Sequence, residues 1–216
     1  NYMLLINNTN INPYFNLAME EYFLKNAKED IFLLWQNENA IIVGKNQNTL
    51  SEINYDYVKN NNIKVVRRQS GGGAVFHDLG NINFTFISYN DNSFSDFKKF
   101  TMPIVAALKE LNINAEFSGR NDLLIDNQKF SGNAQYNYKN NVMHHGTLLF
   151  SSKINDLSAA LKVKPSKFEG KGVKSVKSRV TNISNHLGKE MSVVEFKDYL
   201  LNFINKRDEN SHFYEL

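Results

Sequence analysis

The sequence contains no cysteine, and this absence removes several kinds of chemistry from its 216 residues. They can form no disulfide framework, thiolate zinc site or thiol nucleophile. Long apolar runs are also missing: none approaches the roughly 18 residues that cross a membrane. Residues 1–7 lack the basic and apolar segments of a signal peptide. We therefore expect a cytoplasmic protein, or one of an organelle matrix if the source is eukaryotic, with no membrane partner.

The common nucleotide-binding motifs are missing as well. A dinucleotide fingerprint that begins at Gly71 requires a glycine at the position of Phe76. A P-loop requires Gly-Lys followed by serine or threonine. The Gly-Lys pairs that begin at positions 44, 170 and 188 are followed by asparagine, glycine and glutamate. If the chain binds a nucleotide, it uses another kind of loop.

The charge of the chain is small in total but unevenly distributed. The formal net charge is +3, yet residues 162–179 contain seven basic residues and one acidic residue, Glu169. That segment carries +6, so the remainder carries −3 (+3 minus +6), and no nucleic-acid partner is indicated. The basic segment is either a solvated loop or a site for an anion such as phosphate.

Apolar periodicity predicts a mixture of helices and strands. One helix should have an apolar face of Phe15, Ala18, Met19, Tyr22 and Phe23. Others are predicted over residues 97–111, where a proline at 103 should kink the helix or mark its start, and after a capping box at 192–195. Strands are predicted over residues 1–7, 31–35, 40–43, 64–67, 82–88, 123–125, 129–134 and 143–151. Because helices and strands do not alternate strictly, we expect an α+β fold with a mixed, largely antiparallel sheet flanked by helices, in one domain over residues 1–216.

Three consecutive glycines, Gly71–Gly73, follow a basic strand that ends with Arg67, Arg68 and Gln69. Glycines let the backbone pass close to a ligand and leave N–H groups free to bind an anion. Arg68 could form a forked pair with a phosphate or carboxylate. A tight turn with surface arginines would have the same composition, but the combination with Ser70 favours a binding site.

A second cluster lies on the predicted strand 129–134. Strict alternation puts Lys129, Ser131 and Asn133 on one face and Phe130 on the other. We expect Lys129 to point inward and hold an anion, although a lysine on a strand is more often solvated. Asp122 could bind Mg²⁺ beside phosphates or belong to a plain surface turn.

Two adjacent histidines, His144 and His145, lie on the last predicted strand. Neighbouring residues on a strand face opposite ways, so this pair cannot easily share one metal ion. We therefore expect one histidine to form a hydrogen bond in the core or to line a pocket, without deciding which one.

Taken together, these segments resemble the lipoate–protein ligase A family. The resemblance rests on five ordered motifs and one early loop: Arg67–Asp78 with Gly80–Asn81, Gly119–Asp122, Lys129–Gly132, His145–Leu149, Lys174–Asn182, and Gly44–Asn48. Because the motifs occur in order and span most of the chain, a chance match is improbable.

The resemblance implies a biotin/lipoate protein ligase-like catalytic domain, similar to class II aminoacyl-tRNA synthetases, which uses ATP, Mg²⁺ and lipoate. Lys129 would be the catalytic lysine and would contact both lipoate and lipoyl-AMP. The residues expected to contact ATP or lipoyl-AMP are Arg68, Gly73, Ala74, Val75, Phe76, Asn81, Asp122, Lys174 and Arg179, with Asp122 also binding Mg²⁺. Those expected to contact lipoate are Ser70, Gly71, Gly72, His77, Gly132 and His145.

The implied reaction forms lipoyl-AMP and then transfers the lipoyl group to a lysine of an acceptor. The acceptor would be a lipoyl domain of a 2-oxoacid dehydrogenase E2 subunit or the glycine-cleavage H protein. Related transferases use a cysteine thioester, which this sequence cannot form, so the adenylating route is favoured. The family's C-terminal accessory domain has no counterpart here, so we expect either that the sequence is truncated or that this domain is a separate chain. The alternatives are a lipoyl-AMP-dependent transferase without the activation step and a non-catalytic binding domain.

Overall fold

Two β-sheets organise the molecule. The structure, a computed structural model, describes residues 2–119, 121–161 and 180–215. The basic segment, with Lys174 and Arg179, lies outside the described residues. The strands are β1 (Met3–Asn7), β2 (Asp30–Trp35), β3 (Ala40–Val43), β4 (Lys64–Arg67), β5 (Val75–His77), β6 (Asn81–Ser88), β7 (Ala115–Ser118), β8 (Asp122–Ile125), β9 (Gln128–Tyr138), β10 (Asn141–Leu149) and β11 (Ser211–Glu215). The α-helices are α1 (Pro13–Asn26), α2 (Thr49–Glu52), α3 (Tyr55–Asn60), α4 (Phe97–Glu110), α5 (Ile154–Ala160) and α6 (Val193–Arg207), and a 3₁₀ helix spans Ile183–His186.

The large sheet has eight strands in the order β11-β1-β2-β6-β10-β9-β8-β7. In it, β1 is parallel to both of its neighbours, and the other neighbouring pairs are antiparallel. The small sheet has the order β4-β3-β5, with β3 parallel to β4 and antiparallel to β5. The prediction of a mixed, largely antiparallel sheet flanked by helices is therefore confirmed.

Apolar side chains cover both faces of the large sheet. On one face, α4 and α6 bury the larger cluster, in which Phe100 and Phe196 pack with Phe84 and Phe130 of the sheet. On the other face, α1 buries Met19 and its neighbours against β2 and β10. A third cluster joins the small sheet to α3 and α5. Because α1 contacts both β4 and β10, it connects the two sheets on the side where the site lies.

The first helix buries a face that only partly overlaps the one that its apolar pattern predicts. Phe15 and Tyr22 are 47% and 63% exposed, whereas Asn16 and Glu20 are almost fully buried. Burial is tolerated because both polar side chains are hydrogen-bonded. The Asn16 amide donates to two backbone carbonyl groups, and Glu20 accepts a hydrogen bond of 2.6 Å from the Thr85 hydroxyl. The helix was predicted correctly, but only part of its predicted apolar face, Met19 and Phe23, packs in the core.

A bulge in β9 sets the direction of Lys129. Leu123 of β8 pairs with Ser131. Its neighbour Leu124 pairs with Lys129, which leaves one residue of β9 without a partner. The extra residue breaks the alternation of side chains. Lys129 consequently lies on the face of Gly132, where an added Cβ would be 3.3 Å from the lysine Nζ. The prediction that Lys129 shares a face with Ser131 was wrong.

Several short elements were not predicted from the sequence: β5, β7, β11, α2, α3 and α5. Each has only three to seven residues, and none contains the adjacent β-branched residues that predicted the equally short β3 and β4. Pro103 lies inside α4, so the prediction that it could mark the start of the helix was wrong.

None of the helices in the described ranges has the length and apolar character that a membrane crossing needs.

Replacing Ser192 with alanine should lower the free energy of unfolding by about 1 kcal/mol, because α6 would lose its cap. The Ser192 hydroxyl accepts from the Glu195 N–H, and the Glu195 carboxylate accepts from the Ser192 N–H. Urea denaturation measures the change. Asn48→Ala is the matched control, since Asn48 precedes α2 without a capping side-chain hydrogen bond. Equal losses in the two variants would contradict a role for the capping box.

Candidate functional site

The glycine-rich loop, residues Gly71–Gly73, is shaped by Arg68. The Nη2 of this buried arginine donates to the carbonyl oxygens of Gly71 and Gly73, both at 2.8 Å. Its Nε donates to Ser70 Oγ at 3.1 Å, and Nη1 donates to the Ile42 carbonyl at 3.1 Å. Burial lowers the pKa of Arg68, but a guanidinium keeps its charge in proteins. Four of the five N–H groups of Arg68 are used within the protein, so one is left for a phosphate, and the expected contact with the nucleotide stays a prediction.

The loop lies very close to the end of β3. A Cβ added at Gly44 would be 2.1 Å from the Gly72 carbonyl oxygen, so only glycine fits at position 44. Gly72 has a φ of 103°, which other residues rarely adopt. Among the residues that the structure describes, no acceptor is found for the N–H groups of Gly71–Gly73. These exposed groups are therefore available to an anion, as in other backbone nests.

A cavity of about 490 Å³ lies between the large sheet, the small sheet and α1. A row of residues crosses its floor: Trp35 pairs with Asn83, and Asn83 pairs with Thr147. The Thr147 hydroxyl then accepts from the Gly132 N–H at 3.2 Å. Adjacent strands are ~4.8 Å apart, so the row spans roughly 14 Å. Lys129 stands at the Gly132 end and Trp35 at the other, so the cavity has a cationic end and an aromatic end.

Lys129 and the glycine-rich loop line the same cavity. The lysine Nζ is 2.9 Å from Asp122 Oδ1, and the two side chains are 41% and 32% exposed. The chain re-enters the described residues at this point: Val180 forms a bridge with Lys129, and the Thr181 N–H donates to the Lys129 carbonyl at 2.9 Å. The residue that follows the basic segment therefore lies beside the lysine.

A buried line of hydrogen bonds joins α1 to the glycine-rich loop. The Glu20 carboxylate accepts from the Thr85 hydroxyl and lies 3.0 Å from His145 Nδ1. Nε2 of His145 is 2.6 Å from Ser70 Oγ. A carboxylate can only accept, so His145 Nδ1 carries the proton that is donated to Glu20. In that tautomer Nε2 accepts from the Ser70 hydroxyl, whose oxygen accepts from Arg68. Carboxylate, imidazole, hydroxyl and guanidinium therefore form one continuous chain.

The aromatic end of the cavity is formed by His77 and Trp35, whose rings meet edge to face at 6.4 Å between centroids. His77 is 3% exposed, and its Nδ1 is 3.1 Å from the Asn37 amide nitrogen, which donates to it. Burial lowers the pKa of His77 to about 3, and the nearby positive charge of Arg68 adds to this effect. The imidazole is therefore neutral at neutral pH and brings no charge to this end.

The two adjacent histidines do face opposite sides of β10, as predicted. His144 is fully buried between Phe84 and Phe100, stacked at 5.9 and 5.2 Å between ring centroids. Its Nε2 is 3.0 Å from Asn133 Oδ1, and burial lowers its pKa to about 3. His145 lines the cavity instead. His144 thus belongs to the core, and His145 belongs to the candidate site.

Most of the site residues expected from the sequence line the cavity. Those that do are Arg68, Gly71, Gly72, Gly73, Ala74, Val75, His77, Lys129, Gly132 and His145. Ser70 lies behind the loop, and Asp122 contacts the cavity only through Lys129. Phe76 packs into the third apolar cluster, and Asn81 is buried against Asn83. Alternation in β5 turns the Phe76 side chain inward, and Asn81 is 1% exposed, so a contact of either residue with the nucleotide would use the backbone and stays a prediction.

Several residues of the cavity were not predicted from the sequence, notably Glu20, Trp35 and Asn83. Two signals were present. Trp35 is the one tryptophan in the sequence, and Glu20 follows Asn16 at helical spacing on what proves to be the buried face. The amides of β6 carried no such signal, because a polar residue inside an apolar strand is recognised only when its partners are known.

Comparison with known proteins gives consistent results. The family described as "Lipoyl protein ligase A/B catalytic domain" matches residues 12–205. Lipoate-protein ligase LplJ of Bacillus subtilis (strain 168) is 53% identical over 206 residues, which are 94% of this chain and 62% of the relative. The chain therefore spans less than two thirds of the length of this curated relative.

Solved structures show the same fold. One is a bi-partite lipoate protein ligase from Thermoplasma acidophilum, described with its E2 lipoyl domain; it has a TM-score of 0.84 and 29% identity, and the match covers 100% of this chain and 86% of that one. A lipoate-protein ligase A bound with ATP has a TM-score of 0.81 and 26% identity, with 100% and 87% covered. The expected lipoate-ligase catalytic fold is thereby confirmed.

The buried histidines should make the protein less stable below pH 6.5. The pKa of His77 and of His144 is about 3 in the folded state, against roughly 6.5 when unfolded. Stability that is fully present above pH 6.5 is therefore lost as the pH falls toward 3, by about 1.4 kcal/mol per pH unit for each histidine. Urea denaturation at pH 7.5 and 5.5 measures the loss.

Variants identify the histidines responsible for this loss. His144→Gln should reduce the difference between the two pH values by about 1.4 kcal/mol. His212→Gln is the control, because the His212 side chain is 47% exposed, and it should leave the difference unchanged. The same loss in wild type and His144→Gln would show that His144 is not buried in its neutral form.

Proposed function

The chain belongs to the lipoyl protein ligase A/B catalytic-domain family, and on that premise we propose that it is an ATP-dependent lipoate–protein ligase. It activates lipoate as lipoyl-AMP and transfers the lipoyl group to a lysine of an acceptor protein. The relatives named lipoate-protein ligase and the related structure bound with ATP support this proposal. A cytoplasmic location stays a prediction from the sequence.

The observation that carries the proposal is a single cavity with a cationic end and an aromatic end. Lipoate has the matching polarity, since it is a carboxylate on an apolar tail. The carboxylate would bind Lys129, and the tail would cross the sheet toward Trp35 and the neutral His77. The polar face of Gly71–Gly73 lies over the same space, where the carboxylate and a phosphate would have to meet.

In the first step, a carboxylate oxygen of lipoate attacks the α-phosphorus of ATP. The bond from that phosphorus to the bridging oxygen breaks, and pyrophosphate leaves with the electron pair. Negative charge accumulates on the α-phosphate oxygens during the attack. The Lys129 ammonium and the N–H groups of Gly71–Gly73 can donate to that charge, and they are positioned before the reaction begins. We therefore assign Lys129 as the catalytic residue.

In the second step, the amine of the acceptor lysine attacks the acyl carbon of lipoyl-AMP. The bond between that carbon and the phosphate oxygen breaks, AMP leaves, and the nitrogen loses a proton as the amide forms. Because AMP is a good leaving group, no nucleophile of the protein is needed, which accords with a sequence that lacks cysteine.

Further contacts to the nucleotide complete the proposal. Gly73–Phe76 would lie along it. The family resemblance also assigns Lys174 and Arg179, which lie outside the described residues, to the nucleotide. Mg²⁺ would neutralise the departing pyrophosphate. The residues present fit such an ion, because Mg²⁺ on phosphates needs only one or two carboxylates and Asp122 offers one. In the described ranges, no group of three metal-binding side chains forms a separate metal site.

We propose a lipoyl domain of a 2-oxoacid dehydrogenase E2 subunit, or the glycine-cleavage H protein, as the acceptor. The relative from Thermoplasma acidophilum, which is described with its E2 lipoyl domain, supports the first of these. That relative is also bi-partite, which supports the further proposal that an accessory domain outside these 216 residues takes part in the complete reaction.

Replacing Lys129 with alanine should abolish formation of lipoyl-AMP, with a loss of at least about 10²–10³ in rate. The variant should stay folded, because the Lys129 side chain is 41% exposed and outside the core. Pyrophosphate release with lipoate and ATP measures the rate. Lys109→Ala is the control, since Lys109 is an exposed lysine on α4. Lipoyl-AMP formed by Lys129→Ala at the wild-type rate would refute the assigned role.

The two alternative functions give different results in a second assay, in which lipoyl-AMP is supplied directly with an acceptor domain. A ligase releases pyrophosphate in the first assay and lipoylates the acceptor in the second. A transferase without the activation step lipoylates the acceptor only from lipoyl-AMP. A non-catalytic binding domain does neither, and that result would overturn the proposed function.

A further inference from the structure

We propose that Glu20 and His145 are positioning residues, which orient the glycine-rich loop through Ser70 and Arg68. This inference rests on the proposed function, because it concerns the loop that would meet the acyl-phosphate group. From Glu20 the successive distances are 3.0 Å to His145, 2.6 Å to Ser70 and 3.1 Å to Arg68. The line ends at the carbonyl groups of Gly71 and Gly73, each 2.8 Å from the guanidinium.

The order of groups looks like that of a hydrolase triad, but Ser70 is not placed as a nucleophile. Ser70 is fully buried, and its side chain does not line the cavity. Its oxygen also accepts a hydrogen bond from the Arg68 Nε, which lowers its ability to attack an acyl group. The hydroxyl is instead a link that accepts from the arginine and donates to the imidazole.

Through this line of hydrogen bonds, the negative charge of Glu20 strengthens the hydrogen bond that Arg68 donates to Ser70. Within the described part of the chain, Arg68 forms no salt bridge, and its partners are three carbonyl groups and the Ser70 hydroxyl. His145 donates Nδ1–H to the carboxylate, which makes its Nε2 a better acceptor for the Ser70 hydroxyl. The hydroxyl oxygen in turn becomes a better acceptor for Arg68, since hydrogen bonds in a chain strengthen one another.

Loss of one link should therefore affect the loop rather than the binding of ATP. If Arg68 is no longer held, the carbonyl groups of Gly71 and Gly73 can turn toward the cavity. The loop N–H groups then no longer point at the place where charge develops. Donors that are misplaced raise the barrier of the chemical step, so kcat for pyrophosphate release falls while KM for ATP stays nearly constant.

A matched pair of variants at position 145 tests the link to Ser70. In His145→Asn the amide can replace Nδ1 but cannot reach Ser70. In His145→Gln the longer side chain reaches the position of Nε2. We expect His145→Asn and Ser70→Ala to lower kcat by about 10- to 100-fold, with KM for ATP within about threefold of wild type. His145→Gln should recover most of the loss relative to His145→Asn.

Two further comparisons distinguish the effect of breaking this line of hydrogen bonds from a general loss of structure. His144→Gln removes a buried imidazole from the neighbouring residue on the opposite face, and it should leave kcat unchanged when corrected for the folded fraction. The double variant Ser70→Ala with His145→Asn should lose no more than the more severe single variant, because both break the same line. Additive losses, or a higher KM for ATP at unchanged kcat, would overturn the proposal.

Amide hydrogen exchange tests the same line without any reaction. The Lys45 N–H donates to the Ser70 carbonyl, and the Arg68 N–H donates to the Val43 carbonyl, both at 3.0 Å. Relative to core amides of β6, these two amides should exchange at least about tenfold faster in Ser70→Ala and His145→Asn, but not in His144→Gln. If these two amides exchange at the wild-type rate in Ser70→Ala and His145→Asn, the proposed positioning role is overturned, even when the protein is an active ligase. If the wild-type protein neither releases pyrophosphate nor lipoylates an acceptor, the proposed function is overturned instead. The exchange result would still show whether Glu20 and His145 hold the loop through Ser70 and Arg68.

Discussion

The contact between the buried Arg68 guanidinium and the carbonyl groups of Gly71 and Gly73 governs the geometry of the site. An arginine at 8% exposure needs acceptors on several sides, and the loop supplies two of them. Turning those carbonyl groups outward would leave Nη2 of a buried guanidinium without acceptors, which costs about 1–3 kcal/mol or more. With the carbonyl groups held by Arg68, the N–H groups of the loop remain available to a ligand in the cavity. The donor face is therefore formed before any ligand arrives, which is the condition for stabilising charge that develops during a reaction.

The wall of the cavity opposite the glycine-rich loop depends on the bulge in β9. Without the bulge in β9, Lys129 would follow Ser131 and Asn133 to the other face of the sheet, where α4 and α6 pack. The extra residue turns the lysine to the face of Gly132 and His145. The larger apolar cluster thus packs on one face of the sheet, and the bulge places the lysine on the other. The loop and the lysine come from separate sheets, and α1 connects those sheets.

The sequence predicted the apolar strands, the long helices and many of the residues that line the cavity better than it predicted side-chain directions. The strands Ala40–Val43 and Lys64–Arg67 and the helix after Ser192 have strong local signals and appear at the predicted positions. The buried face of α1 could not be predicted, because Glu20 is buried only through partners on β6 and β10 that are distant in sequence. Arg68 was correctly placed at the site, but the direction of its hydrogen bonds depends on the folded loop. The bulge at Lys129 is likewise a property of strand pairing, which no local pattern reports.

The central claim is that one acyl-phosphate group is held between Lys129 and the glycine-rich loop, with its tail directed toward Trp35. A crystal structure of the protein soaked with lipoate and ATP tests this claim most directly. The account predicts lipoyl-AMP with its phosphate between the Lys129 ammonium and the N–H groups of Gly71–Gly73. A ligand bound elsewhere, with Lys129 turned into solvent, would contradict it.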